Sequence, residues 1–338
     1  MKAFVIEGPE RASVKEIDEP KITPDEVLVE VKASGICGTD IHIYKGEFPV
    51  QFPVIPGHEF SGVVVKVGSK VKDLVEGDRV AVNPNLFCGK CYYCKKGLVH
   101  FCKNWQAIGI HRQGAYAPLV AVPEGNVHKI PNSLSFEEAA FSEPVACCLR
   151  GQDRLRIKHG DTVVVYGLGP IGLIHVQLAK LRGVSLVIGV EIQEKRLKIG
   201  EKFADLVLNP LEVDVIKEVK ELTEGRGVDA VIEATGNPKV FKQAFEILDY
   251  GGRLLVFGVA PEKALVEISP YLIYRKEIEV IGSFTNPFTT ERAVKDLSSG
   301  RLHVKPLVSH KISLEDVLEY YGKIMSKESD IVKVLITF

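Results

Sequence analysis

Between residues 162 and 284, short apolar runs recur at a spacing that leaves room for a helix in most of the gaps: TVVVY, SLVIGVE, ADLVLN, VDAVIEA, RLLVFGV and IEVIGSF. Strands buried on both faces read as continuous apolar runs of this length, and parallel strands joined by crossover helices are buried that way. The pattern predicts a doubly wound, parallel α/β sheet. At its first strand–helix junction stands GLGPIG, with Gly167, Gly169 and Gly172. Alone this spacing is weak. Placed after TVVVY and ahead of PIGLIHVQLAKLRG, it is a dinucleotide-binding fingerprint. Gly167 would allow the tight turn, Gly169 the approach of backbone to a pyrophosphate, and Gly172 close helix–strand packing. The helix N-terminus at Pro170 and Ile171 would receive the negative charge. Glu191 closes the second run, where a carboxylate can accept both ribose hydroxyls of NAD and repel the 2'-phosphate of NADP, although it could also simply end a strand. Lys195 and Arg196 follow closely and could offset that repulsion; the reading is NAD over NADP.

Upstream, NLFCGKCYYCKKGLVHFC holds four of the chain's seven cysteines, Cys88, Cys91, Cys94 and Cys102. The C-x2-C-x2-C-x7-C spacing lets one loop fold back so that four thiolates meet one Zn2+ as a tetrahedron. Coincidental core or surface cysteines and a redox C-x-x-C pair are the alternatives; the flanking Gly89, Lys90, Lys95, Lys96 and Gly97 suit an exposed loop, and a redox pair belongs at a helix start behind a strand. Four thiolates leave no open position, so this zinc would be structural, and any chemistry must lie elsewhere.

Length and charge narrow the rest. A chain of 338 residues exceeds the usual single core, so two domains are expected. With 43 Lys+Arg against 44 Asp+Glu and no basic block, neither a nucleic acid nor an anionic membrane has electrostatic support as a partner. The N-terminus MKAFVIEGPERASVKEI does not read as a signal peptide, and no run reaches the roughly 20 apolar residues of a membrane span. The expectation is a soluble, cytoplasmic protein acting on a small molecule.

Before about residue 145 the chain is β-rich, with EVLVEVKASGI and GVVVKVGSKV as strand-like stretches between Gly and Pro. GICGTDIH and GHEFSG carry Cys37, His58 and Glu59, all residue types that ligate zinc. A lone Cys or His in a core is usually packing, but this combination on loops, joined to a nucleotide fold, points to a second metal site.

These residues resemble the zinc-dependent medium-chain dehydrogenase/reductase family. GHEFSGVVVKVGSKV fits its G-H-E-x2-G-x5-G-x2-V signature at Gly57, His58, Glu59, Gly62, Gly68 and Val71, and GICGTDIH, the four-cysteine lobe and GLGPIG follow in the family's order. The resemblance covers essentially the whole chain. It implies a GroES-like β-rich catalytic domain (1–146), a Rossmann domain (147–284) and a C-terminal segment (285–338) returning to the first, with the active site in the cleft. Simple alcohol dehydrogenases complete the catalytic zinc with a third ligand that is Cys; here FSEPVACC offers Glu143, as in the sorbitol (polyol) and threonine dehydrogenase subgroup. The implied ligands are Cys37, His58 and Glu143, with Glu59 either a direct ligand or one exchanging with water. Cys147 and Cys148 are the runners-up, better explained by packing. Asp40 would orient His58. Thr39 and His42 would carry the substrate's proton to solvent, unless they are a structural threonine and a surface histidine.

The resemblance therefore implies two Zn2+ per chain, NAD, a homotetramer, and oxidation of a secondary alcohol on a polyol, sugar or sugar acid to a ketone. L-Threonine 3-dehydrogenase is the rival activity, since CGTDIHIY suits that subgroup equally well. A non-catalytic, nucleotide-sensing zinc protein is the rival of another class. The polar loop AIGIHRQGAY favours a polyhydroxylated substrate, and Tyr44, His111, Arg112 and residues 284–286 are candidate pocket borders.

Overall fold

Residues 1–328 and 330–338 are described by the computed structural model, and they form two units: Met1–Ala146 with Thr285–Phe338, and Cys147–Phe284. In the second unit the apolar runs become the strands of one parallel sheet. Its order is Leu206–Leu208, Leu186–Val190, Thr162–Tyr166, Val228–Glu233, Leu248–Val256 and Glu279–Gly282. Chain direction across the sheet reverses beside Thr162–Tyr166, and Gly167 begins at that strand's carboxyl end, the switch point where such sheets bind ligands. Consecutive residues Val163, Val164 and Val165 are all fully buried, so both faces of the sheet are covered. One strand starts earlier than RLLVFGV suggests. Leu248 already pairs with Val228, the next pair is Arg253 with Ala230, and the residues between bulge out of the ladder.

The first unit is built on a mixed sheet ordered Val308–Ile312, Lys333–Thr337, Glu26–Gly35, Glu59–Val67, Arg79–Val82 and Val127–Lys129, with Leu119–Pro123 also paired to Glu26–Gly35. The alternation in EVLVEVKASG sends Val27, Val29 and Val31 to a core shared with Phe60, Val64, Val80 and Val122. Burying such side chains contributes about 1.5–3 kcal/mol each. Register then places the chemistry: Gly35 lies opposite Glu59 on one side and Leu335 on the other. Cys37, just past one strand end, therefore meets His58 and Glu59, just at the start of the next. Lys333 arrives from the closing strand IVKVLITF. Within the described residues, no helix is long and apolar enough to cross a membrane.

Candidate metal centres and cofactor loop

The four loop cysteines converge so that all their sulfurs lie within 4.8 Å of one another. Cys91 Sγ is 3.5 Å from Cys94 Sγ and 3.9 Å from Cys102 Sγ. Both separations are far beyond the ~2.05 Å of a disulfide. A tetrahedron with Zn–S near ~2.3 Å has edges of about 3.8 Å, so the sulfurs already stand at zinc spacing. Backbone amides support negative sulfur: the N–H groups of Cys88 and Asn104 each lie 3.3 Å from Cys102 Sγ. The N–H groups of Cys94 and Lys103 pull the Cys91 thiol down to about 6, whereas burial and the neighbouring sulfurs push Cys94 up to about 12. The donor set fits one closed Zn2+.

The second cluster is different in kind. Cys37 Sγ, a ring nitrogen of His58 and a carboxylate oxygen of Glu59 also lie within 4.8 Å of one another. Here the surroundings are charged and dry. Asp40 is fully buried; its Oδ2 accepts the Cys37 N–H at 2.8 Å and the Tyr116 hydroxyl at 2.9 Å, while its Oδ1 faces His58 Nδ1 at 3.4 Å. Burial pushes the His58 pKa down, but the charges of Asp40 and Cys37 overcome this and hold it well above the ordinary histidine value. Burial likewise opposes the Asp40 anion, which His58 and its hydrogen bonds nevertheless keep below the usual carboxylate range. Two ligand types, one thiolate and one imidazole, beside a carboxylate, fit a zinc that keeps an open position.

Glu59 is paired with Lys333, whose Nζ also donates to the Ile36 carbonyl at 2.9 Å. Burial acts to lower the Lys333 pKa, and Glu59 and Cys37 outweigh it and raise it. Gly35 makes room for this pair: a Cβ there would collide with the Glu59 carboxylate and the end of Lys333. Glu143 is buried but is not a member of the three-residue cluster; its Oε1 accepts the Asn286 Nδ2–H at 3.0 Å. Cys148 lies 3.8 Å from the Ile171 carbonyl, in the packing of the other unit.

Thr39 and His42 sit on the short helix Gly38–Tyr44, whose N-cap is Cys37. Thr39 Oγ1 is 3.8 Å from Cys37 Sγ. His42 is exposed, with Nδ1 2.6 Å from Glu47 Oε2, a bond that keeps the Glu47 carboxyl below its ordinary range. Among the candidate pocket borders, Arg112 pairs with Glu26, His111 packs edge-on against Trp105, and the Tyr44 hydroxyl donates to the Glu10 carbonyl. Sequence reasoning missed Lys333 and the part played by Tyr116. A lysine inside an otherwise apolar closing strand was the available signal for the first; nothing local marks the second.

In the nucleotide loop, Gly167 has φ 86°, the left-handed region the turn needs. A Cβ on Gly172 would collide with the Gly167 carbonyl, and one on Gly169 would meet only Arg196 Nη1 at 3.7 Å, so the loop is open to a ligand where Gly169 lies. Pro170 and Ile171 open the helix Pro170–Leu181. Glu191 is buried and turned onto backbone: Oε2 accepts the Leu168 N–H at 2.9 Å, and Oε1 those of Ile192 and Gln193 at 2.8 and 3.1 Å. Arg196 Nη1 lies 3.8 Å from Oε2. A carboxylate has about four lone-pair sites, so three such bonds leave capacity for a ribose hydroxyl.

Residues 23–132 match the family model for the alcohol dehydrogenase GroES-like domain, and residues 170–299 that for zinc-binding dehydrogenases. The chain is 35% identical to D-arabinitol dehydrogenase 1 of Uromyces fabae, over 97% of this chain and 95% of that one. It is 36% identical to the L-threonine 3-dehydrogenase of Pyrococcus furiosus, over 93% and 92%. A solved zinc-binding dehydrogenase from Sinorhizobium meliloti 1021, bound to NADP, superposes with a TM-score of 0.96 at 39% identity, covering 100% of this chain and 99% of that one.

Proposed function

This chain belongs to the zinc-dependent medium-chain dehydrogenase/reductase family, and from that premise we propose that it oxidises a secondary alcohol of a polyol, sugar or sugar acid to a ketone, with NAD as hydride acceptor. The observation that carries this reading is the cluster of half-buried Cys37 with buried His58 and Glu59, a mixed donor set distinct from the closed cysteine cage. Cys37, His58 and Glu143 would hold the catalytic zinc, with Glu59 either a direct ligand or one exchanging with water, and Cys88, Cys91, Cys94 and Cys102 the structural one. A zinc at the first site supplies Lewis acidity, lowering the pKa of an alcohol presented to it. Gly169 and the helix start at Pro170 and Ile171 would receive the cofactor pyrophosphate, and Glu191 a ribose hydroxyl, with Arg196 beside it.

The chain's own residues then handle the proton. Thr39, two positions beyond Cys37, offers a hydroxyl that can accept a proton from the substrate oxygen while passing on its own. His42 stands on the exposed face of the same helix, with its Nδ1 held by the Glu47 carboxylate, where a terminal acceptor can pass a proton on to solvent. Asp40 fixes the His58 ring. Further parts of the reading are two zinc ions per chain and a homotetrameric, cytoplasmic enzyme.

A threonine 3-dehydrogenase is the second reading, favoured by the 36% identity to such an enzyme. Both are tested by following NADH formation with polyols, aldonates, L-threonine and ethanol. A polyol or aldonate should exceed ethanol by roughly 10²-fold or more in kcat/KM, because polar groups set to bind neighbouring hydroxyls are left unpaired by a bare alkyl chain. L-Threonine as the best substrate would select the second reading. No turnover with any of them, in protein loaded with zinc, would point to a nucleotide-sensing protein.

A further inference from the structure

Glu143 is reached by a chain of side chains whose direction is fixed. Trp105 Nε1 can only donate, and does so to Asn85 Oδ1 at 3.1 Å. That turns the Asn85 amide nitrogen toward Asn286, whose Oδ1 accepts it at 2.8 Å. Asn286 Nδ2 is left to donate to Glu143 Oε1 at 3.0 Å. A donor-only indole at one end and a carboxylate at the other give both amides a single orientation along this chain, the Asn85 amide nitrogen donating also to Asn83 Oδ1 at 3.3 Å.

Each link is itself held. Asn286 is fully buried on a turn where Thr285 and Phe288 both have left-handed backbone, at φ 53° and 62°. Residues other than glycine adopt this rarely, and keep it where the surroundings over-determine it. Thr289 Oγ1 lies 3.0 Å from the Asn286 carbonyl and 2.8 Å from that of Ala146, closing the turn onto the segment that carries Glu143. At the far end, Asn85 and Trp105 flank the four-cysteine loop at its stem. Asn85–Leu86 pairs antiparallel with Gln106–Ala107, and the Trp105 N–H donates to the Cys102 carbonyl at 3.0 Å. Asn126 Nδ2 donates to the Asn85 carbonyl at 2.8 Å, and the Asn85 N–H to Asn83 Oδ1 at 3.0 Å.

We infer that Asn286, aimed by Asn85 and Trp105, is the positioning residue that fixes the Glu143 carboxylate as a metal ligand, and that the closed cysteine cage supports the open metal site by holding the stem from which this chain starts. The inference rests on the reading of Glu143 as a zinc ligand. Fixing one carboxylate oxygen sets the plane of the group and leaves the other to turn onto a metal, Glu143 standing outside the metal-free cluster of Cys37, His58 and Glu59; partners of this kind typically govern metal affinity by about 10–100-fold.

The test uses full-length protein with zinc in the cysteine cage and cobalt(II) titrated into the open site. Asn286→Ala should weaken cobalt binding about 10–100-fold and shift its visible absorption. Trp105→Phe keeps an aromatic side chain but removes the indole N–H together with the five-membered ring that bears it; in folded protein it should weaken binding several-fold in the same direction. Cys91→Ser, which opens the stem, should also lower open-site affinity. Wild-type affinity and spectrum in folded Asn286→Ala and Trp105→Phe would overturn the positioning role, and wild-type affinity in folded Cys91→Ser would overturn the link to the cage. Two controls separate these from failure of the underlying reading. Cys37→Ser should abolish the cobalt spectrum; Glu143→Ala with an unchanged spectrum would remove Glu143 as a ligand, and the inference with it.

Discussion

The two candidate metal clusters share a chemical vocabulary and differ in how the chain writes it. The cysteine cage is a local loop whose ligands all fall between residues 88 and 102, bordered by exposed lysines, and backbone amides steady its sulfurs. The cluster at Cys37 is assembled by the sheet, fully buried at Asp40, and ringed by ionised side chains, each of which is countered by another. A closed site can sit at the surface because four thiolates satisfy the metal outright. An open site leaves its ligands' charges to be balanced by other side chains, which requires partners from several strands. On the proposed reading, the first cluster would serve chiefly stability and the second reactivity.

The sharpest way to break this division is to change one sulfur in each. Cys37→Ser should reduce kcat by on the order of 10³-fold, since a loss of several kcal/mol of Lewis-acid stabilisation is at stake. Its unfolding temperature should barely move. Cys91→Ser should do the reverse, lowering the unfolding temperature by about 5–10 °C while turnover per folded chain at saturating zinc stays within about tenfold. Calorimetry and steady-state rates on the same preparations decide it; equal losses of activity and stability in both variants would erase the distinction.

The same contrast governs what the sequence disclosed. The cage could be read directly because its geometry is encoded in spacing alone. The parallel sheet was equally legible, since strands buried on both faces need continuous apolar runs. The pair Glu59–Lys333 was not: its members are 274 positions apart, and only the strand order that sets Lys333–Thr337 beside Glu26–Gly35 brings them together. Asn286 was visible as a residue near the candidate pocket, but its bond to Asn85, 201 positions away, depends on a turn that no local pattern announces. Glu191 stands where the strand pattern puts it, yet its carboxylate is engaged by the N–H groups of Leu168, Ile192 and Gln193, a side-chain orientation that periodicity does not carry.

The charged surroundings of the second cluster can be tested through Lys333. Lys333→Met leaves Glu59 buried without its cation, which should cost about 3–5 kcal/mol in urea unfolding when the open site is metal-free. Adding Glu59→Gln removes the uncompensated charge and should restore more than half of the loss. Were the single variant as stable as wild type, the buried pair would contribute nothing to the cluster, and the contrast with the cage would weaken. Next in size is the proton route. Thr39→Val should lower kcat about 10²-fold with zinc content unchanged, and His42→Ala about tenfold, with added imidazole recovering part of it. Thr39→Val with normal turnover and a normal pH profile would make Glu59 or a metal-held water the leading base.

The smallest expected effect concerns the cage without its metal, where the thiols are inequivalent. Hydrogen bonds from the Cys94 and Lys103 amides pull Cys91 down to about 6, while burial and neighbouring sulfurs push Cys94 up to about 12. At pH 7 the first is therefore mostly thiolate and the second a thiol. Only the thiolate attacks an alkylating agent, so in zinc-depleted protein iodoacetamide should label Cys91 well before Cys94. As the pH falls from 7 to 5, through the Cys91 value, its thiolate fraction drops about tenfold, and the labelling rate should fall with it. Raising the pH from 7 to 9 should change Cys91 little, because its proton has already left, and Cys94 should stay slow throughout. Peptide mapping after short pulses reads both sites at once. Equal labelling at pH 7 would mean that the amides do not single out Cys91, and that the cage, unlike the cluster at Cys37 with its paired side chains, needs its metal to order its charges.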